Sequence, residues 1–161
     1  MGGYVHKAYP PIYEALARHS GFSSAIFVRG VEGGIIPSLQ QAGKLFSYRG
    51  DSELEQRDLA PADLGIKADK RAVPVPADIP PVENADIVAT KFDSNALAVA
   101  SAEMGKKALA GEPGLMHDSL VYSVSICLVH LEHSDDFSVA ADTVREVLAS
   151  GQALEKFQTA Y

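Results

Sequence analysis

The chain has 161 residues, enough for one domain and too few for two comfortable ones. Its hydrophobic share of 47% supports a buried core, and charged residues at 22% argue against wholesale disorder. The formal net charge of -7 repels phosphate backbones, and no dense Lys/Arg run offsets it, so nucleic-acid binding starts at a disadvantage.

Cys127 is the sole cysteine, which excludes an intrachain disulfide and a cysteine-based metal cluster. It lies in the apolar run 124–129 and reads as a small core residue. The N-terminal residues lack the apolar segment of a secretory signal, and no stretch approaches the ~20 apolar residues that span a bilayer. The expectation is a soluble cytoplasmic protein.

Tyr9-Pro10-Pro11 reads as an extended lead-in, with Pro11 able to sit in a first helical turn. Ile12, Tyr13 and Leu16 then share a helical face, and Gly21 supplies a stop. Ala25-Ile26-Phe27-Val28 is a continuous apolar run, read as a buried parallel strand. It ends in Arg29 and the glycine-rich loop Gly30-Val31-Glu32-Gly33-Gly34. Residues 44–48 and 53–56 flank Arg49-Gly50-Asp51-Ser52, a hairpin signal. Pro61-Ala62-Asp63-Leu64-Gly65 resembles one helical turn closed by glycine, and Val73-Pro74-Val75-Pro76 is an edge strand or extended linker.

From Asn84 onward the pattern is helical. Ala96, Leu97, Ala100, Met104 and Ala108 form one apolar stripe, broken by Gly111-Glu112-Pro113-Gly114. Leu120, Val124, Cys127, Leu128 and Leu131 form a second. Phe137, Ala140, Val144, Val147 and Leu148 form a third, with Asp136 or Ser138 as N-cap and Gly151 beyond its end. Leu154 and Phe157 suggest a short last helix. The fold class is α/β: a partial parallel sheet with flanking helices, a small β-hairpin and a helical C-terminal half.

Three constellations could carry chemistry. The glycine loop follows a strand, where ligands bind in open α/β sheets, and glycines permit close approach and free N–H groups for anions. Its spacing fits neither a dinucleotide fingerprint nor a P-loop, and a sharp strand exit without a ligand is the alternative. Arg29 is the group best placed to meet a phosphate, its alternative being an ion pair with Glu32. His130, Glu132, His133, Asp135 and Asp136 are a candidate metal cluster, or ordinary polar residues at a helix end. His117 and Asp118 beside Ser119 suggest a catalytic dyad, although Asp118 as a helix N-cap is the simpler reading.

Taken together, residues 9–16, 25–39, 59–65 and 118–157 resemble the C-terminal part of the anthranilate phosphoribosyltransferase-like family, in the nucleoside phosphorylase and phosphoribosyltransferase superfamily (glycosyltransferase family 3). The telling pieces are Phe27 through Gly34, the Pro61–Gly65 turn and the ending Val144 through Leu154. The resemblance implies one domain over 1–161, a fragment of a pentosyltransferase catalytic domain that forms one wall of a ribose-phosphate cleft. Arg29, Gly30, Glu32, Gly33 and Gly34 would lie nearest a phosphoribosyl or other phosphate ligand.

The family works with magnesium, but Ile35 and Ile36 stand at its metal-binding aspartate–glutamate positions, and isoleucine offers no oxygen to a hard cation. The family's phosphate-binding glycine-threonine-glycine-glycine-aspartate motif is also absent. No cofactor, metal ligand or catalytic residue is therefore expected within this chain. The stretches Val31–Leu39 and Gly43–Phe46 are most similar to a divergent paralogue branch not thought to make the anthranilate product, some members of which bind nucleic acid non-specifically. An inactive fragment, a nucleic-acid-binding paralogue and a structural or homo-oligomerising fragment are the functions the sequence leaves open.

Overall fold

The computed structural model describes residues 1–82 and 91–160. A four-stranded sheet has the order β1-β2-β3-β4, with β1 at Gly2–Gly3, β2 at Ser24–Val28, β3 at Gly43–Arg49 and β4 at Glu55–Leu59. The apolar run 25–28 is indeed a buried strand, but only the two-residue β1 runs parallel to it, Gly2 opposite Phe27. Its long partner is β3, antiparallel, with Phe27 opposite Phe46 and Val28 opposite Leu45. The hairpin's first strand thus supplies the neighbour that a buried strand requires. β4 starts at Glu55, two residues later than the pattern suggested, and its Glu55, Arg57 and Asp58 keep this edge charged.

Alternation along the strands separates two cores. On one face, Tyr4, Phe27 and Tyr48 are buried beneath α1 (Tyr9–His19), which contributes Tyr13 and Ala17. Pro10 and Pro11 lie inside the first turn of α1 rather than in an extended lead-in, where their missing N–H groups cost nothing. Ile12 and Leu16 point outward at 53% and 58% exposure, so the expected stripe divides. Arg18 ties this helix to the sheet. Its guanidinium lies 3.8 Å over the Tyr48 ring, donates to the Gly50 and Ser52 carbonyls at 2.6 Å each, and pairs with Glu14.

The other face carries Ile26, Val28, Leu45 and Leu59 against α3 (Leu115–His130) and α4 (Phe137–Ala149). In α3 the buried residues are Ser119, Val121, Tyr122, Ser125 and Ile126. Val124 and Leu131 of the expected stripe are exposed, Cys127 is half-buried, and Leu120 and Leu128 pack at the margin. Ser119 and Ser125 can be buried because each hydroxyl donates to a carbonyl one turn back, Leu115 at 2.8 Å and Val121 at 2.6 Å. In α4, Ala140, Ala141, Val144 and Leu148 are buried while Val147 is exposed. Asp136 caps α4 through the N–H groups of Ser138 and Val139, at 2.7 and 3.0 Å.

The Pro61–Leu64 segment is a 3₁₀ turn closed by Gly65 in the left-handed region, φ 71°. The Asp63 carboxylate accepts from the Ala60 N–H at 2.8 Å, and Arg145 of α4 donates to the Leu64 carbonyl. Residues 73–76 form a linker, not a strand. The start of the helical region expected at Asn84 lies outside the described residues. α2 (Ser94–Leu109) begins after Asp93, whose carboxylate accepts from the Ala96 N–H at 2.8 Å. Its expected stripe faces inward, with Ala108 fully buried. α5 spans Gln152–Thr159. No helix among the described residues is long and apolar enough to cross a membrane.

Candidate functional site

The glycine loop leaves β2 and turns at once. Glu32 adopts φ 53° and Gly33 φ 80°, both in the left-handed region. The turn closes on its own backbone. Gly30 N–H donates to the Val28 carbonyl at 3.0 Å, Val31 to Ile36 at 2.9 Å, Gly33 to Gly30 at 3.3 Å, and Gly34 to Val31 at 3.0 Å. Those four N–H groups are therefore spent inside the loop, contrary to the expectation of donors free for an anion.

Close packing explains two of the glycines better. A Cβ on Gly30 would stand 1.6 Å from the Gly34 carbonyl oxygen, and one on Gly3 would stand 2.2 Å from it. Since φ at Gly30 is an ordinary -76°, contact and not conformation excludes a side chain there. β1, β2 and the loop thus interlock backbone to backbone.

Beneath the loop lies a cleft of ≈ 180 Å³ between β2, β3 and α3. Arg29, Gly30, Glu32 and Gly33 line it; Gly34 does not, its carbonyl being packed against Gly3 and Gly30. Three groups that sequence reasoning missed join them: Ser38, Lys44 and Arg71. Arg71 arrives from residues distant in sequence because the Leu39 N–H donates to its carbonyl at 2.9 Å. Nothing local in the sequence signals that bond. Ser38 Oγ accepts from the Gln40 and Gln41 N–H groups, at 3.3 and 3.2 Å, which shapes the turn on the cleft's rim.

The cleft is cationic although the chain is acidic overall. Arg29 is exposed and also borders an adjoining hollow with His6, Lys7 and Lys44. Glu32 does not pair with Arg29; its nearest cation is Arg71, at 3.9 Å and largely solvated. Lys44 lies 3.9 Å from Asp58. At such distances and exposures both pairs are weak, which leaves the three cations available to an anion. The floor is apolar, formed by Val28, Leu45, Leu59 and Ile126, with Tyr122 donating to the Leu59 carbonyl at 3.4 Å. Burial, and then the Asp63 carboxylate, push the Tyr122 hydroxyl well above its ordinary range, so it is a neutral wall residue.

Ile35 and Ile36 follow the loop and are not among the residues lining the cleft; they are 47% and 39% exposed. Their hydrocarbon side chains do not fit a magnesium ion. Among the described residues, no group of three or more His, Cys, Asp or Glu side chains is arranged to hold a metal.

The two remaining constellations dissolve into structure. α3 begins at Leu115 after Gly114, so Asp118 lies within its first turn and is not its cap. His117 Nδ1 is 3.4 Å from the Asp118 carboxylate, and the Ser119 hydroxyl is committed to the Leu115 carbonyl. α3 ends at His130, so His130 and His133 do not share a helical face, and Asp136 is taken up by capping α4.

The sheet, its two cores and the helical half define an α/β phosphoribosyltransferase fold, that of the C-terminal part of such a domain. Three solved structures share it. Anthranilate phosphoribosyltransferase from Saccharomyces cerevisiae, as a variant with Mg bound, superposes with a TM-score of 0.65 at 17% identity. The same enzyme in complex with 4-fluoroanthranilate gives 0.63 at 16%. Anthranilate phosphoribosyltransferase from Thermus thermophilus gives 0.60 at 21%. The matches cover 96–97% of this chain but only 40% of each of those chains. No protein-family model matches the chain, and no curated protein sequence does.

Proposed function

We propose that the chain is a phosphoribosyltransferase-like, glycosyltransferase-type domain fragment that forms one wall of a ribose-phosphate cleft and does not catalyse transfer by itself. The observation that carries this reading is the convergence of Arg29, Lys44 and Arg71 on a cleft under the glycine loop in an otherwise acidic chain. Guanidinium and ammonium groups are the side chains that recognise phosphate oxygens. The shared fold supports the ligand class, since the matching structures are phosphoribosyltransferases.

Recognition in this cleft rests on side chains. Arg29 and Arg71 bind and orient a phosphate from two sides, Lys44 adds a point charge, and the apolar floor limits water. Transfer of a ribosyl group also requires stabilisation of the departing pyrophosphate. Magnesium supplies that in the family, and Ile35 and Ile36 cannot hold it.

Titration calorimetry with phosphoribosyl pyrophosphate tests the proposal. Weak binding that is indifferent to magnesium and lost in the Arg29→Ala/Arg71→Ala double variant is the expected result. Binding that requires magnesium would overturn the inactive reading. Binding that survives the double variant would overturn the cleft assignment.

A structural, self-associating role is the second reading. Ile12, Leu16 and Phe22 are 53%, 58% and 63% exposed on the outer side of α1 and the turn that follows. Apolar side chains left in water favour association. Sedimentation velocity checks it: a monomer across the accessible concentration range would remove this reading.

A further inference from the structure

The turn that ends α3 stands off from the sheet. A cavity of ≈ 390 Å³ lies between them, walled in part by Arg49 of β3, Arg57 of β4, His130 of α3, and Glu132 and Asp135 of the turn. An ion pair between Glu132 and Arg49 bridges the gap. We propose that His130 makes this turn an acid-released latch: on taking up a proton, its imidazole swings out into the cavity and residues 131–133 come loose from the end of α3, while the rest of the fold stays closed. This inference is independent of the cleft under the glycine loop.

The covered position of His130 suits only the neutral ring. Its Nε2 atom is enclosed by protein and has no hydrogen-bond partner among the described residues. In the neutral ring that nitrogen can remain an unpaired acceptor, whereas the protonated ring places an N–H donor and a share of positive charge there. A buried charge without a partner costs far more than a buried neutral group. Proton uptake and the covered position therefore oppose each other.

The charges around the ring decide which way it moves. From β3 comes Arg49, from β4 Arg57 and Glu55, from the edge of the sheet the chain's amino group, and from the turn Glu132 and Asp135. Among the described residues, α4 adds only the uncharged Phe137 to the cavity wall, and α2 adds nothing. Burial holds the imidazole below its ordinary range, and the positive charges of Arg49, the amino group and Arg57 add to this against the opposing Glu132. Around the cavity the balance is reversed, since Glu55, Glu132 and Asp135 face Arg49 and Arg57. An imidazolium turned outward thus gains solvent and a net acidic wall.

The turn itself opens at little expense. Glu132 sits at φ 60°, in the left-handed region where glycine is favoured and a glutamate is strained. Three backbone bonds close it: Leu131 N–H donates to the Cys127 carbonyl at 2.9 Å, Glu132 to Val129 at 3.2 Å and His133 to Leu128 at 2.9 Å. The Glu132 carboxylate is 78% exposed, so its pair with Arg49 is weak and readily exchanged for the imidazolium. Leu131 is already exposed, so opening uncovers little apolar surface. Beyond the turn, the Ser134 hydroxyl donates to the Asp136 carbonyl and the Asp136 carboxylate caps α4, which holds that helix in place while the turn moves.

Amide hydrogen exchange of the full chain, read by NMR and corrected for the intrinsic rate at each pH, tests this. Protection of Leu131, Glu132 and His133 should fall by up to about tenfold per pH unit below ~6.5, because the open turn binds the proton first. Their exchange should ignore dilute urea, the mark of a local opening, while exchange in β2 and β3 accelerates with urea. In His130→Gln the pH-dependent loss should vanish. Glu132→Gln, at a solvated position, removes a charge that favours the imidazolium and should lower the His130 titration midpoint, which keeps the test decisive if the first variant does not fold. The inference is overturned if the three amides keep their protection below pH ~6.5, if His130→Gln loses protection as the parent does, if the three amides respond to urea as β2 does, or if Glu132→Gln leaves the midpoint in place.

Discussion

Gly30→Ala separates a packing role for the glycine loop from a ligand role. Gly30 sits at φ -76° and ψ 162°, where alanine is unstrained. The added Cβ would lie 1.6 Å from the Gly34 carbonyl oxygen and 2.3 Å from its carbon. Restoring an ordinary contact moves that peptide by about 2 Å. The movement pulls on the Gly34–Val31 and Val31–Ile36 hydrogen bonds, each contributing about 1 kcal/mol. Overpacking against backbone costs about 1–3 kcal/mol, so the total is about 3–5 kcal/mol. With a urea m-value of about 2 kcal/mol/M, the midpoint falls by about 1.5–2.5 M. Urea unfolding followed by circular dichroism measures it. Gly105→Ala is the control, because its Cβ meets nothing within 4 Å inside α2, and it should stabilise by about 1 kcal/mol. A Gly30→Ala chain with the parent midpoint but no affinity for pyrophosphate would refute the packing argument and restore the loop as an anion cradle.

Arg18→Ala removes the stacking on Tyr48 and two charged hydrogen bonds to the hairpin turn, and should cost about 2 kcal/mol, the side chain being one-third solvated. That corresponds to about 5 °C in Tm, read by a thermal melt. Acid sensitivity should include a contribution from His130. Burial lowers its folded pKa, so the unfolded chain binds the extra proton first, and stability declines as pH falls through ~6.5 and levels off below the folded pKa. His130→Gln should flatten that part of the curve, and an unchanged slope would contradict the burial argument. At the alkaline end, Tyr122 loses its proton more readily when unfolded, so stability should fall above pH ~10, and less so in Tyr122→Phe. With a net charge of -7, the chain should leave single-stranded DNA unshifted in a gel at low salt; retardation would revive a nucleic-acid role.

Much of the architecture is legible because local rules dominate it. The apolar run 25–28, the turn at Pro61–Gly65 and the Asp136 cap each depend on residues within a few positions. What the sequence conceals is phase and partnership. α3 is apolar nearly all round, so its periodicity does not say which side is buried. The structure chooses the side with Tyr122, Ile126 and two serines, because their hydroxyls are satisfied within the helix. β1 is two glycines with no strand propensity, held only by pairing with Phe27 and Val28. The direction of β2 could not be read either, since a fully buried run reads alike beside parallel and antiparallel partners.

The candidate cleft divides along the same line. Arg29, Gly30, Glu32 and Gly33 were legible as a loop after a strand, whereas Lys44 and Arg71 enter through the β3 register and a backbone bond to Leu39. This changes the chemistry assigned to the loop. A phosphate loop of the usual kind works through free N–H groups, yet four of the N–H groups here close on carbonyls of the same turn and its flanks. The glycines bring β1 and β2 into contact, and the cations provide whatever affinity for phosphate the cleft has. Acidic residues at 35 and 36 would add oxygen donors next to the glycine loop without disturbing the Gly3–Gly30–Gly34 contact, because both side chains are partly solvent-exposed. The Ile35→Asp/Ile36→Glu variant should therefore keep the parent's urea midpoint while gaining magnesium-dependent affinity for phosphoribosyl pyrophosphate. A folded variant that gains none would refute the assignment of positions 35 and 36 as those that decide metal binding.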